Sequence, residues 1–370
     1  MGDYDDFRTH APYYPERVTE AYNRLVAVYN SFGDASTLLG VGIQWYILGW
    51  VIRRNESLVK SSIQYFQENI EPWIDSPAAL KAISNGYLET YQSLLKTCGE
   101  LNIEDGRWGD PQDWTGKGKE NYEKSATAQA KCVSVAADFG KSLSDATFTA
   151  AIDNLNTAIS AFSSVGELMA KLSSLVGEVG GNPLALLTAA KSFGSLVGEF
   201  TSLFTQLATA YMNLCLDTMK RVREIQQSRD PFYKQSGGRW ALPGIYGEWS
   251  DGHPGKDSEK QVTVNASFFQ RHMIRWGYQA ATLDQVVVKH TRAMAQVNPK
   301  SFQWRHLQEL HSELMEKDTE FLRYLGQGAE AFRKVQEVLR QTQTSYLETE
   351  LSNAEAAKRI LKFLDQTVTI

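Results

Sequence analysis

Residues able to do chemistry are few in this chain, and they are scattered. Six histidines are dispersed over 370 residues, and the nearest pair, His306 and His311, is five apart, which points the rings in different directions on a helix. That spacing yields no metal pair. His290 falls inside an apolar periodic stretch, where a hydrogen-bonded core histidine is expected ahead of a ligand or a base. Glu309, Glu313 and Glu316 fit the wet face of a helix better than a catalytic pair. A phosphate-cradling Gly loop, a Gly-x-Ser-x-Gly elbow and a His-Glu-x-x-His pair are all absent from the sequence. The expectation is a protein without enzymatic activity, cofactor or metal.

The cysteines lead to the same view. Cys98, Cys132 and Cys215 are odd in number and lack metal-type spacing, so they define no disulfide framework. With a chain reversal near Trp114, Cys98 lies close to the end of its helix and Cys132 about four turns along the next, so the two are expected to miss each other. Buried free thiols are the expected state. Charged residues make up 22% of the chain and the net charge is −5, which gives no basic field to attract nucleic acid or anionic lipid. The RNP, zinc-finger and basic-region patterns are also missing, so no nucleic-acid partner is expected.

The elements that must position these residues read as helices. Leu80, Ile83, Tyr87, Tyr91, Leu94, Cys98 and Leu101 recur at steps of three and four, as one helical face requires. Tyr122, Ala126, Ala130, Val133 and Ala137 repeat the pattern downstream. Between them stands Asp113-Trp114-Thr115-Gly116-Lys117-Gly118, read as the tip of an antiparallel hairpin with Gly116 easing the turn. Ser76 reads as the N-cap of the first of these helices, with Pro77 at its first position.

Helix, Trp-x-Gly, then an aromatic near the start of a small-residue-rich helix resembles the Trp-x-Gly (WXG-like) helical-hairpin superfamily exported by type VII secretion in actinobacteria and their relatives. The resemblance covers roughly Ser76 to Ile225. It implies a protein made in the cytoplasm and then secreted or displayed at the cell surface without a Sec signal peptide. The acidic start, Met1-Gly2-Asp3-Tyr4-Asp5-Asp6-Phe7, lacks the basic-then-apolar layout of such a peptide and agrees with that route.

Residues 1–76 are read as N-terminal helices that include an apolar run, Leu38 to Ile52, containing Trp45, Tyr46 and Trp50. At 15 residues with an internal Gln it is short of the roughly 20 needed to span a bilayer. Core or subunit contact is the first reading of this run and membrane contact the second. Residues 77–228 hold the Trp-x-Gly hairpin and further long helices, with Gly180-Gly181-Asn182-Pro183 as a break. Residues 229–263 carry Gly and Pro among Phe232, Tyr233, Trp240, Tyr246 and Trp249. These aromatics are too many for a solvated tether, so they are expected to pack onto the bundle, with a partner-binding loop as the alternative.

Residues 264–370 read as a second helical hairpin. Phe269, Met273, Trp276, Ala280, Leu283, Val287, His290, Met294 and Val297 alternate steps of four and three, a heptad seam. Asn298-Pro299 ends that helix, and Leu307, Leu310, Leu314, Phe321, Leu325, Phe332, Val335, Leu339, Thr342 and Tyr346 follow at heptad-compatible spacings. Tyr346 and Glu350 near its end resemble the Tyr-x-x-x-Asp/Glu export signal of the short excreted relatives. By the resemblance, Trp114, Gly116, Tyr346 and Glu350 form the two halves of a composite signal read by a type VII secretion ATPase or chaperone. Some long relatives form rings, which makes a homo-oligomer through Trp45, Tyr46 and Trp50 the matching expectation.

The whole is thus expected to be all-α, an elongated helical bundle built from two antiparallel helical hairpins plus additional N-terminal helices. Two rivals stand beside the secretion reading. One is an α-helical pore-forming protein that releases Leu38–Ile52 or the Leu184–Leu207 region into a membrane. The other is an intracellular helical scaffold or partner-binding bundle.

Overall fold

The computed structural model describes residues 75–103, 108, 117–181, 209–228, 239–241 and 266–367, with isolated positions at 20, 23, 57, 61, 64, 195, 199, 202 and 206. Among the described residues 94% are helical and none lies in a strand, so the protein is all-α. The helices are α1 (Ser76–Glu100), α2 (Lys117–Gly181), α3 (Ala266–Ala295) and α4 (Arg305–Thr367), with a 3-10 turn at Pro299–Phe302 before α4. A further helical stretch covers 209–228.

Cap chemistry sets two of these boundaries. The Asp75 carbonyl accepts from Ala79 N–H at 3.1 Å, which makes Asp75 the cap of α1 and moves the start one residue ahead of the expected Ser76. Ser76 instead donates its hydroxyl to the Ser301 carbonyl at 2.6 Å, a bond across the fold. Asn298 caps the 3-10 turn by accepting from Lys300 N–H at 3.1 Å, with Pro299 next to it where a missing N–H costs nothing.

The chain divides into two compact units, and each is assembled from three separate segments. The first takes in Met1–Ser84, Asp145–Glu224 and Val297–Glu313. Its described core holds Leu80 and Ile83 of α1, Ala150, Ala151 and Ala158 of α2, Leu214 of the 209–228 stretch, and Phe302, Leu307 and Leu310. Small side chains on α2 let neighbouring helices approach closely at these positions. Arg221 reaches Asp153 at 3.4 Å and Glu224 at 2.8 Å, tying the 209–228 stretch to α2 at the edge of that core.

The second unit takes in Asn85–Ser144, Ile225–Gln296 and Leu314–Ile370, and in it four helices meet. On α1, Gly86 sits against Ala293 and Met294, Thr90 meets His290, and Glu100 takes a bond from Gln279, so α1 and α3 run in opposite directions. The order His290–Asp318, Trp276–Phe332, Phe269–Tyr346 makes α3 and α4 antiparallel as well. Phe139 packs edge-on against Phe321 at 5.8 Å, and Gly140 gives that ring room, which closes α2 onto α4.

Two local expectations, the α3 stripe and the burial of all three thiols, are revised. The buried face of α3 does include Phe269, Trp276, Ala280, Leu283 and His290, but it is completed by His272, Gln279 and Val286, while Met273, Val287 and Met294 are half-buried. The stripe therefore steps three then four where the apolar residues alone suggest four then three. Cys98 and Cys132 do miss each other as expected: both are free, and the Cys98 thiol points at the Ala130 carbonyl at 3.6 Å. All three cysteines are free, and only Cys132 is fully buried. Trp240 is buried in the second unit, in line with packing of that aromatic onto the bundle.

Candidate functional site

Of the residues singled out from the sequence, Trp114, Gly116, Trp45, Tyr46 and Trp50 lie outside the described residues. Tyr346 stands on α4, half-buried, with its ring centroid 6.2 Å from that of Phe269. Glu350 follows it by one helical turn on the same helix. The expected signal residues are thus described for one half only, and the chemistry of the described core must be read from other side chains.

The first polar centre lies where α1, α3 and α4 meet. His290 Nδ1 is 2.8 Å from the Thr90 hydroxyl and Nε2 is 2.6 Å from Asp318 Oδ1. Tyr87 donates its hydroxyl to the same carboxylate oxygen at 3.1 Å. Burial, then the Asp318 charge and the hydrogen bond to it, hold the Tyr87 phenol well above its ordinary range, so it stays a donor. Hydroxyl, imidazole and carboxylate in a row is the order used to activate a nucleophile. Here the row is sealed: His290 is 1% exposed and Thr90 4%, and the Thr90 hydroxyl also bonds the Gly86 carbonyl at 2.9 Å. The row ties α1, α3 and α4 together, which fixes the register of three helices.

A second polar centre joins α2 and α3. Trp276 Nε1–H donates to the Tyr122 hydroxyl at 2.9 Å, and that hydroxyl stands 2.6 Å from His272 Nδ1. With the phenol oxygen already accepting, its own hydrogen goes to Nδ1, and the imidazole carries its proton on Nε2. His272 stacks on Phe268 at 3.8 Å and lies 5.1 Å from the Trp108 ring. Trp108 is itself anchored by a 2.9 Å bond from its indole N–H to the Glu100 carbonyl, and Arg275 caps its face at 5.6 Å.

Burial pushes the His272 ring down to about 4, against a smaller opposing pull from the Trp108 backbone, and Arg271 and Arg275 add to the depression. Nε2 of His272 has no partner at hydrogen-bonding geometry, so the Trp108 backbone acts on it as a nearby dipole and not as a formed bond. Burial likewise raises the Tyr122 phenol. Both groups are neutral at neutral pH, one donating and one accepting. His272 was missed at the sequence level because a polar residue does not register in an apolar stripe. Its spacing, seven before Gln279 and four before Trp276, was the available signal.

In the first unit, His306 is buried against Tyr211, whose hydroxyl is 3.5 Å from Nδ1, and burial lowers this ring to about 4. His311 stacks on Phe302 at 4.4 Å and is also lowered by burial. The two rings therefore serve separate packing contacts. Among the described residues no cluster of His, Cys, Asp and Glu can hold a metal ion. No described helix is long and apolar enough to cross a membrane.

Exposed apolar residues in the first unit fall on helical stripes: Phe148, Ile152 and Ile159 on α2, and Met212, Leu216 and Met219 on the 209–228 stretch. Against these features, comparison with known protein families, with curated proteins and with solved structures returned no match.

Proposed function

We propose that the protein is a non-enzymatic substrate of type VII secretion, or a structural or effector protein associated with it, and that it carries both halves of a composite export signal in one chain. The reading rests on residue order. What supports it is that α1 ends at Glu100 and α2 begins at Lys117, directly after Gly116, with the Tyr122 side chain buried in the early turns of α2. Half-burial of Tyr346 is compatible with recognition once a partner helix docks beside it. The partner is the secretion ATPase or a chaperone. Comparing culture filtrate with cell lysate tests the idea: wild type accumulates outside the cell, while Tyr346→Ala is retained at unchanged expression. A wild-type protein that stays in the lysate of a secretion-competent strain overturns it.

A second reading, a partner-binding helical scaffold, is favoured by the exposed stripes of Phe148, Ile152 and Ile159 and of Met212, Leu216 and Met219. Such apolar surface is commonly covered in an assembly. The two readings separate in the same fractionation, since a scaffold stays inside.

A further inference from the structure

The segment Arg239-Trp240-Ala241 lies in a groove between α2 and α4, held through its indole and its main chain. Gln129 of α2 grips it with both ends of its amide. Gln129 Oε1 accepts from the Trp240 indole N–H at 2.5 Å, and its Nε2 donates to the Ala241 carbonyl at 2.9 Å. The Trp240 main-chain N–H donates to Gln327 Oε1 at 3.2 Å, and the Ala241 N–H donates to the Cys132 sulfur at 3.5 Å. Gln129 is itself 1% exposed, so its amide is prepaid with a fixed orientation that matches one donor and one acceptor.

The floor of the groove is cut to the indole. Tyr324 and Phe332 flank the ring at 4.7 and 5.8 Å, and Gly328 lies beneath it. A Cβ at Gly328 would stand 2.6 Å from Trp240 Cη2, with two more ring carbons inside 3 Å. The groove walls hold each other without the segment, through Phe139 against Phe321 and the Tyr324 hydroxyl on the Cys132 carbonyl at 3.5 Å. Among the described residues, the hydrogen bonds and ring contacts to the segment read a tryptophan or a main-chain amide. That is how a groove recognises a short peptide, with main-chain bonds for affinity and one deep side chain for specificity.

We propose that this groove is a peptide-binding site for a short segment bearing tryptophan followed by a small residue, and that Arg239–Ala241 is its tethered resident. A partner protein carrying such a segment displaces the resident in trans. Tethering keeps the site filled in the free chain, because the local concentration of the resident far exceeds that of a dilute partner. The inference stands on the contacts around Trp240 and is independent of the secretion reading.

The test uses the full chain and a fluorescein-labelled octapeptide of residues 236–243, with Gln in place of Arg so that trypsin does not cut it. Trp240→Ala empties the groove and is expected to bind the octapeptide saturably, at least about ten-fold tighter than wild type. Adding Gly328→Leu to that variant fills the floor and abolishes binding at unchanged helicity. Folded Trp240→Ala that fails to bind, or that binds equally with Gly328→Leu, overturns the proposal. Should Trp240→Ala not fold, wild type alone decides: saturating unlabelled octapeptide speeds tryptic cleavage after Arg239 several-fold, and an unchanged rate overturns the proposal.

Discussion

His290 Nε2 stands 2.6 Å from Asp318 Oδ1, and the ring's other nitrogen stands 2.8 Å from the Thr90 hydroxyl, so one imidazole joins three helices of the second unit. Removing Asp318 leaves His290 Nε2 buried without its acceptor and takes the Tyr87 hydroxyl's closest one, which is the costly way to break such a network. Asp318→Ala is expected to cost about 3 kcal/mol in urea unfolding, whereas the double replacement His290→Phe with Asp318→Leu costs clearly less. Equal losses would remove the network from the account of stability.

Tyr122 passes a hydrogen bond from Trp276 on to His272. Tyr122→Phe keeps the ring and strands both partners, so a loss of about 1–3 kcal/mol is expected. The near-ultraviolet signal of the buried Trp276 should change with it, and a variant as stable as wild type with an identical spectrum contradicts the chain of bonds.

Burial holds His272 and His306 at about 4, below the ordinary value of 6.5. Between those two values the unfolded chain binds more protons than the folded one, so the stability gained from keeping the rings neutral is complete above pH 6.5 and drains as pH falls toward 4. The urea midpoint should drop steadily from pH 7 to about pH 4.5, and His272→Gln with His306→Gln should flatten that slope. A wild-type midpoint that does not move over this range contradicts it.

Two helical glycines face different neighbours. A Cβ at Gly86 meets the Met294 methyl at 2.8 Å, the far end of a flexible side chain, whereas one at Gly140 meets Phe321 Cζ at 3.2 Å. The Phe321 ring is hemmed in by Tyr87, Phe139 and His290. Gly86→Ala should therefore leave stability within about 1 kcal/mol of wild type, helped by alanine's helix propensity. Gly140→Ala should lose about 1–2 kcal/mol by overpacking. Thermal or urea melts of the two variants check the order.

Helix class was legible because apolar residues on α1, α2 and α4 recur at helical steps, and Leu80, Ile83, Tyr87, Leu94, Tyr122, Ala126, Val133, Leu314 and Phe321 are all buried. The α3 stripe was legible only in part. His272 and Gln279 occupy core positions that apolar periodicity skips, and their burial depends on partners more than a hundred residues away, Tyr122 and Glu100. The same holds for Gln129, an ordinary polar residue on α2 until Trp240 arrives. Asp75 took the cap from Ser76 because the Ser301 carbonyl, distant in sequence, drew the serine hydroxyl away. Pairwise polar contacts over such separations leave no trace in local spacing.

The threading of the units has a consequence for biosynthesis. Tyr87 waits for a residue 231 positions later before its hydroxyl has Asp318 to bond, and Ser76 waits 225 positions for Ser301. A ribosome therefore releases most of this polypeptide before either core can close, and α1 must remain soluble or chaperoned meanwhile. Pieces of the gene that stop short of the last helix encode no finished unit at all.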